Sequence, residues 1–121
     1  DYVRERKDPL PLIKADESFE AVVYAVSEGR KGCAGVVDEK GALIGMVTDG
    51  DLRRAMLAGK TGAPARDVMT KSPRTIDPEE RMQVVIKQLS ENRISNAFVL
   101  GENGEPLGLV DMKDLLAEGY L

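Results

Sequence analysis

Apolar residues recur at helical spacing in two stretches of the chain that lie 63 positions apart. Each stretch follows the i, i+3, i+4, i+7 pattern that is typical of one buried helix face. The first set is Phe19, Val22, Val23 and Val26, and the second is Met82, Val85, Ile86 and Leu89. The repeat extends without a gap, and 14 of the 45 residue pairs between 12–56 and 75–119 are identical. We therefore expect two copies of one supersecondary unit, packed with pseudo-two-fold symmetry, because each copy is too small to bury its own apolar face.

Each copy is predicted to run strand, helix, strand, hairpin, strand, helix. In the first copy, Ser18 is a candidate N-cap for a helix that ends at Gly29. The turn at 38–41 carries a glycine where a positive φ is needed. The predicted strands are 12–13, Cys33–Val37 and 43–47, and the predicted helices are 19–28 and a second that follows Thr48 and ends near 58–59.

The second copy begins after a segment whose composition is typical of a linker. Asp77 is the candidate N-cap of its first helix, with Pro78 at the first helical position and Glu80 at N3. The other predicted elements are a helical turn over 65–70, strands over 74–76, 97–100 and 107–110 around a turn at 101–104, and a helix over 114–118. We expect one module over 1–59, a linker over 60–66 and a second module over 67–121.

Composition excludes several function classes. The chain has 17 basic and 21 acidic residues, a net charge of −4, so neither a nucleic-acid nor an anionic membrane surface is expected. With no histidine, a Ser–His or Cys–His pair and an imidazole metal site are impossible, and no metal site is predicted. The single Cys33 permits no internal disulfide, which is typical of a cytoplasmic protein, and no apolar run is long enough to span a bilayer.

The sharpest motif stands where a strand gives way to a helix, at Gly45-Met46-Val47-Thr48-Asp49-Gly50-Asp51-Leu52. One interpretation is a capping box, in which Thr48 and Asp51 satisfy each other's backbone amides. The alternative is a ligand site, because a hydroxyl and free amides suit a phosphate and a carboxylate accepts from a ribose diol. The second copy keeps Asp114 but has Asp111 in place of the hydroxyl, so we expect one competent site and one that is degenerate or differently selective.

Both halves resemble cystathionine-β-synthase (CBS) domains. The resemblance rests on Gly45, Thr48 and Asp51 in the family's Gly-apolar-x-Thr/Ser-x-x-Asp stretch, and on Asp67-Val68-Met69-Thr70, which is similar to the usual lead into a second module. It implies an α/β (α+β) fold, a tandem CBS pair of two β-α-β-β-α modules. The opening Asp1-Tyr2-Val3-Arg4 echoes the same lead-in, and we expect an N-terminal domain to precede it.

The resemblance also implies a nucleotide site in a cleft between the modules. Thr48 and Asp51 would hold ribose and phosphate. One of Arg53 and Arg54, which lie on different helix faces, would reach the phosphate, and the other would lie on the surface or at a dimer contact. The residues implied to line the base or face the same cleft are Cys33, Ala34, Arg74, Thr75, Ser95, Asn96 and Ala97, with Asp114 in the second site.

A closer resemblance is to the C-terminal CBS pair of arabinose-5-phosphate isomerases, enzymes of Kdo and lipopolysaccharide synthesis. It rests on Leu10-Pro11-Leu12-Ile13, on the stretch from Thr48 to Arg54 and on Asp114-Leu115-Leu116-Ala117-Glu118-Gly119. It implies a non-catalytic sensing module, attached to a sugar-isomerase domain, that pairs with a second copy in a homodimer or higher oligomer. No cofactor is required, and the implied effectors are AMP, ATP or CMP-Kdo.

Three alternatives to a sensing module of an arabinose-5-phosphate isomerase remain open. The first is the CBS pair of a sugar-phosphate nucleotidyltransferase, since a similar Thr-Asp-Gly-Asp-x-Arg-Arg stretch occurs there. The second is a structural dimerisation module without ligand, because capping alone explains Thr48 and Asp51. The third is an enzyme built from carboxylates alone.

Overall fold

The structure is a computed structural model that describes residues 9–119, and those residues form two compact units, Pro9–Pro73 and 74–119. The first unit contains β1 (Leu12–Lys14), α1 (Phe19–Gly29), β2 (Cys33–Val37), β3 (Leu43–Thr48), α2 (Asp49–Leu57), α3 (Ala65–Val68) and β4 (Thr70–Lys71). The second contains α4 (Met82–Glu91), β5 (Asn96–Leu100), β6 (Pro106–Asp111) and α5 (Met112–Ala117). No helix among the described residues is long and apolar enough to cross a membrane. The echo at 1–4 lies outside the described residues.

The first unit is a four-stranded sheet in the order β1-β2-β3-β4, with β1 parallel to β2 and the other pairs antiparallel. The predicted cap of α1 is confirmed, since Ser18 Oγ accepts from the Ala21 amide at 3.2 Å. Asp38 organises the β2–β3 turn by accepting from the Lys40 and Ala42 amides, and Gly41 adopts φ +88°. The core residues of this unit are Ile13, Phe19, Val22, Val26, Ala34, Val36, Val47, Leu52, Ala55, Ala65 and Val68. Val23, predicted to be buried with them, is exposed because α1 presents a narrower face to the sheet.

Strand β4 was not predicted. It pairs with β3 through Gly45–Lys71 and Met46–Thr70, and the short helix α3 before it packs its Ala65 and Val68 into the first core. The sequence repeat places the residues from 67 onward in the second copy, whereas in space residues 65–73 belong to the first unit.

The second unit repeats the hairpin of the first. Strands β5 and β6 pair antiparallel, and the predicted strand at 74–76 is reduced to a parallel bridge between Ile76 and Val99. Ile13 and Val36, the equivalent residues of the first copy, pair in the same way within β1 and β2. The core consists of Ile76, Val85, Leu89, Ala97, Val99, Val110 and Leu115.

Two helix starts differ from the sequence prediction. Helix α4 begins at Met82, and Asp77 instead closes a turn in which its carboxylate accepts from the Glu79 amide at 2.8 Å. The Glu80 amide donates to the Asp77 carbonyl, as the Glu17 amide does to the Lys14 carbonyl in the first copy, so this turn is part of the repeat. Helix α5 begins at Met112, two residues before the predicted start, because Asp111 caps it by accepting from the Lys113 amide.

Candidate functional site

The start of helix α2 is a complete capping box. The Thr48 hydroxyl oxygen accepts from the Asp51 amide at 3.2 Å, and Asp51 Oδ2 accepts from the Thr48 amide at 2.9 Å. The same hydroxyl donates to Asp51 Oδ2 at 3.1 Å. The capping interpretation of Thr48 and Asp51 is therefore confirmed, and it accounts for both hydrogen bonds that set the first turn of the helix.

The other oxygen of Asp51 reaches beyond the helix start. Oδ1 accepts from Arg54 Nη2 at 2.7 Å and from the Thr70 hydroxyl at 3.0 Å. Thr70 belongs to β4, 19 residues further along the chain, so a single carboxylate links the start of α2 to the strand that follows α3. Asp51 itself is only 7% exposed.

The environment of Asp51 favours its charged form. Burial raises the pKa of its carboxyl, but hydrogen bonds from the Thr48 backbone, from Arg54, from Thr70 and from the Thr48 hydroxyl outweigh burial, so the pKa lies below its ordinary value. The carboxylate is therefore ionised at neutral pH and accepts hydrogen bonds only.

Two glycines of the motif permit close packing around this carboxylate. A Cβ at Gly45 would lie 2.8 Å from Met69 Cγ and 3.0 Å from the Thr70 carbonyl, so a larger residue would push Met69 and the start of β4 away from β3. A Cβ at Gly50 would lie 3.3 Å from Arg54 Nη1, because the guanidinium lies across the first turn of α2. Gly45 and Gly50 thus allow the two contacts of Oδ1 to form.

The other predicted residues of the first module lie on β2 beside this helix start. Cys33 is fully buried and pairs with Thr48 across the β2–β3 ladder. Ala34 belongs to the hydrophobic core, so its side chain packs against apolar neighbours. The Gly32 carbonyl accepts from the Asp49 amide at 3.2 Å, which fixes the start of β2 against the start of α2.

The second module carries the same arrangement with different chemistry. Asn96 pairs with Asp111 across the β5–β6 ladder, and the carbonyl of the exposed Ser95 accepts from the Met112 amide at 2.8 Å. Ala97 lies in the core, as its counterpart Ala34 does. The N-cap is the buried carboxylate of Asp111, and Asp114 lies three residues further on and is half-buried.

Arg74 and Thr75 are both exposed, directly before Ile76 at the edge of the second unit.

A cleft of about 180 Å³ lies beside the first helix start, and it is lined by Asp51, Arg54, Ala55, Ala58, Lys60, Asp67 and Val68. A larger groove, of about 420 Å³, runs between residues 9–13 and α1, and none of the predicted ligand-binding residues lines it.

Sequence reasoning missed two partners of Asp51. Thr70 lies in the Asp67-Val68-Met69-Thr70 stretch, but no local signal connects it with a residue 19 positions earlier. For Arg54 the sequence prediction is a phosphate contact, a surface position or a dimer contact, and not an ion pair with Asp51. Its spacing of three from Asp51 is the helical spacing at which an acid and a base meet, so this ion pair was predictable.

Comparison with known proteins decides the family. The model of the CBS domain family matches the chain twice, over residues 3–58 and over residues 65–120. The chain belongs to the CBS domain family. It is a tandem CBS pair, and the helix start with Thr48 and Asp51 lies within the first of the two matched segments.

Curated relatives of this CBS pair include arabinose 5-phosphate isomerases. The chain is 34% identical over 108 residues to the arabinose 5-phosphate isomerase KpsF of Escherichia coli, covering 87% of this chain and 33% of that protein. It is 34% identical over 105 residues to a probable arabinose 5-phosphate isomerase of Haemophilus influenzae, covering 84% of this chain and 31% of that protein. The CBS pair thus spans about a third of the length of the curated relatives it matches.

Solved structures share the fold. The CBS domain pair of protein MJ0100, in complex with 5-methylthioadenosine and S-adenosyl-L-methionine, matches with a TM-score of 0.84 at 21% identity, over 98% of this chain and 96% of that one. The CBS domain protein PAE2072 of Pyrobaculum aerophilum, complexed with AMP, matches with a TM-score of 0.85 at 21% identity, over 98% and 92%. At this identity the likeness establishes the α+β CBS fold.

Proposed function

We propose that this CBS pair is a regulatory module that binds a nucleotide or sugar nucleotide at the start of α2. The observation that carries the proposal is the junction of Thr48 and Asp51, where a hydroxyl and an ionised carboxylate stand side by side on the first turn of a helix. A carboxylate in this position accepts hydrogen bonds from a ribose diol, and the helix start favours a phosphate. Two solved CBS proteins of the same fold carry adenine compounds, which supports this ligand class.

The enzyme that the module regulates is proposed to be an arabinose-5-phosphate isomerase. The support is the similarity of the chain to about a third of each of several such enzymes. In this proposal the module has no catalysis of its own, and its ligand changes the activity of an attached sugar-isomerase domain. A product further along the same pathway, such as CMP-Kdo, is a chemically sensible effector beside AMP and ATP.

A structural role is the second candidate, and a specific observation favours it. No buried side-chain nitrogen or oxygen atom between residues 9 and 119 lacks a hydrogen-bond partner, so no buried polar side chain in this range needs a ligand to satisfy it. Asp51 is satisfied by groups of the protein itself. A junction of this kind also serves a module whose only task is to fold and dimerise.

Thermal unfolding of the chain in the presence of AMP, ATP, CMP and CMP-Kdo separates the two candidates. A ligand at a hundred times its dissociation constant adds about 2.7 kcal/mol, which raises the Tm of a domain of this size by several degrees. We expect such a shift with at least one compound, its loss in Asp51→Asn, and its retention in Asp49→Asn, a matched change in the same helical turn. An unchanged Tm with all four compounds would favour the structural role.

A further inference from the structure

The carboxylate of Asp51 has no acceptor position left for a ligand. A carboxylate offers about four lone-pair sites, two on each oxygen. On Oδ2 both are taken by Thr48, and on Oδ1 they are taken by Arg54 and Thr70. A ligand hydroxyl that donates to Asp51 must therefore replace one of these donors.

Of the donors to Asp51, Arg54 is the one that a ligand can displace with the smallest disturbance of the structure. The Thr48 bonds form the helix cap, and Thr70 is held in β4 by its ladder to Met46. The side chain of Arg54, by contrast, is 71% exposed and is anchored only at its own helix position, so it can rotate into solvent without disturbing a strand or a cap.

The position of the Arg54 guanidinium has a second consequence. It lies across the first turn of α2, where a Cβ added at Gly50 would be 3.3 Å from Nη1 and 3.5 Å from Nη2. Arg54 thus neutralises Asp51 and lies over the glycine that a phosphate would approach. Moving the guanidinium away leaves two unpaired charges unless the ligand supplies an anion for Arg54 as well as a hydroxyl for Asp51.

We propose that Arg54 is the specificity-determining residue of this site, exchanging its bond to Asp51 for a bond to the phosphate of the ligand. The inference rests on the proposed function and narrows it to one ligand class, phosphorylated ribosides or sugar phosphates in place of uncharged nucleosides. Thr70 stays in place during the exchange and acts as a positioning residue that keeps Oδ1 oriented.

The test compares AMP with adenosine, which share base and ribose and differ in the phosphate. Calorimetric titration of the wild-type chain is expected to give a dissociation constant about tenfold or more lower for AMP, as one charge-assisted hydrogen bond provides. In Arg54→Gln the ratio of the adenosine dissociation constant to the AMP dissociation constant should fall towards one. AMP should bind more weakly than to the wild type, and adenosine should bind equally or more tightly. Arg53→Gln, the matched charge control on the next residue of the same helix, should retain the wild-type ratio.

Thr70→Val distinguishes positioning from specificity. It removes a donor to Asp51 and leaves Arg54 in place. It should therefore weaken the binding of AMP and of adenosine by the same factor, and the ratio of their dissociation constants should stay unchanged. Unfolding curves of all variants show whether each remains folded at the titration temperature.

The possible outcomes distinguish failure of the proposed Arg54 exchange from failure of the proposed function. Binding of both compounds with the same ratio in wild type and Arg54→Gln would overturn the role of Arg54 and leave the proposed function intact. Binding of adenosine by Arg54→Gln but not by wild type would support the exchange. Binding of neither compound by either protein would overturn the exchange together with an adenylate ligand.

Discussion

At the scale of single residues, the carboxylate of Asp51 joins the end of β3, helix α2 and strand β4. It accepts two hydrogen bonds from Thr48, the N-cap residue at the end of β3, one from Arg54 in the next turn of α2 and one from Thr70 in β4. The capping and ligand-binding interpretations of this residue do not exclude each other. The cap uses Oδ2, whereas an incoming hydroxyl would compete for Oδ1.

The lowered pKa of Asp51 makes a prediction about acid stability. Because the folded-state pKa lies below the ordinary value of 3.8, this carboxylate stabilises the fold fully at pH values above 3.8. That stabilisation is lost as the pH falls through the lower folded-state pKa. At about pH 6, Asp51→Asn should therefore lower the free energy of unfolding by about 1–3 kcal/mol, since a buried charge-assisted network is broken.

Urea unfolding of wild type and Asp51→Asn from about pH 6 to about pH 2.5 checks this prediction. The difference in the free energy of unfolding between the two proteins should narrow below pH 3.8. A difference that stays constant over the whole range would show that the ionised form of Asp51 does not stabilise the fold.

At the scale of elements, strand β4 depends on the same motif as the helix start. Gly45 gives Met69 and the Thr70 carbonyl room against β3, and Asp51 binds the Thr70 hydroxyl. The motif of the first module therefore secures the segment 69–71, the last strand of the first unit before the second unit begins at residue 74.

Gly45→Ala tests this packing. The added Cβ would lie 2.8 Å from Met69 Cγ and 3.0 Å from a backbone carbonyl, so β4 must shift, and we expect a loss of about 1–3 kcal/mol in the free energy of unfolding. Gly62→Ala is the matched control, because nothing lies within 4 Å of its added Cβ, and it should change stability by less than about 0.5 kcal/mol. Equal effects of the two substitutions in urea unfolding would contradict the packing argument.

The elements that local chemistry determines were predicted well. The turn with Asp38 and Gly41 fixes where β2 ends and where β3 begins, so these two boundaries follow from residues close in sequence. The start of α4 was predicted wrongly from the local Asp77 motif, although the repeat itself aligned Met82 with Phe19, which begins α1. The periodic apolar face outweighed the local cap, since tertiary burial provides more stability than one capping bond.

Strand β4 and the Asp51–Thr70 bond lay beyond such reasoning. Two paired residues make no hydrophobic alternation, and both residues of β4 are exposed. The contact with Asp51 joins positions 19 residues apart, so it depends on how α3 returns the chain to β3. The Arg54–Asp51 pair, in contrast, follows from helical spacing alone.

At the scale of the whole molecule, the repeat persists in fine backbone detail and breaks at the helix starts. Arg30 and Arg93, which are equivalent in the two copies, adopt φ +56° and +55°, and both hairpins shift register after equivalent valines. The first copy starts its second helix with a hydroxyl and Gly50, whereas the second has Asp111 and Lys113. Since a carboxylate N-cap repels a phosphate, one nucleotide site per chain is expected, in the first module.

Calorimetric titration of AMP into wild type, Asp51→Asn and Asp114→Asn tests this central claim most directly. The account predicts one binding site per chain in wild type, its loss in Asp51→Asn and its retention in Asp114→Asn, the equivalent carboxylate of the second copy. Retention of binding in Asp51→Asn, or its loss in Asp114→Asn alone, would contradict a nucleotide site at the start of α2.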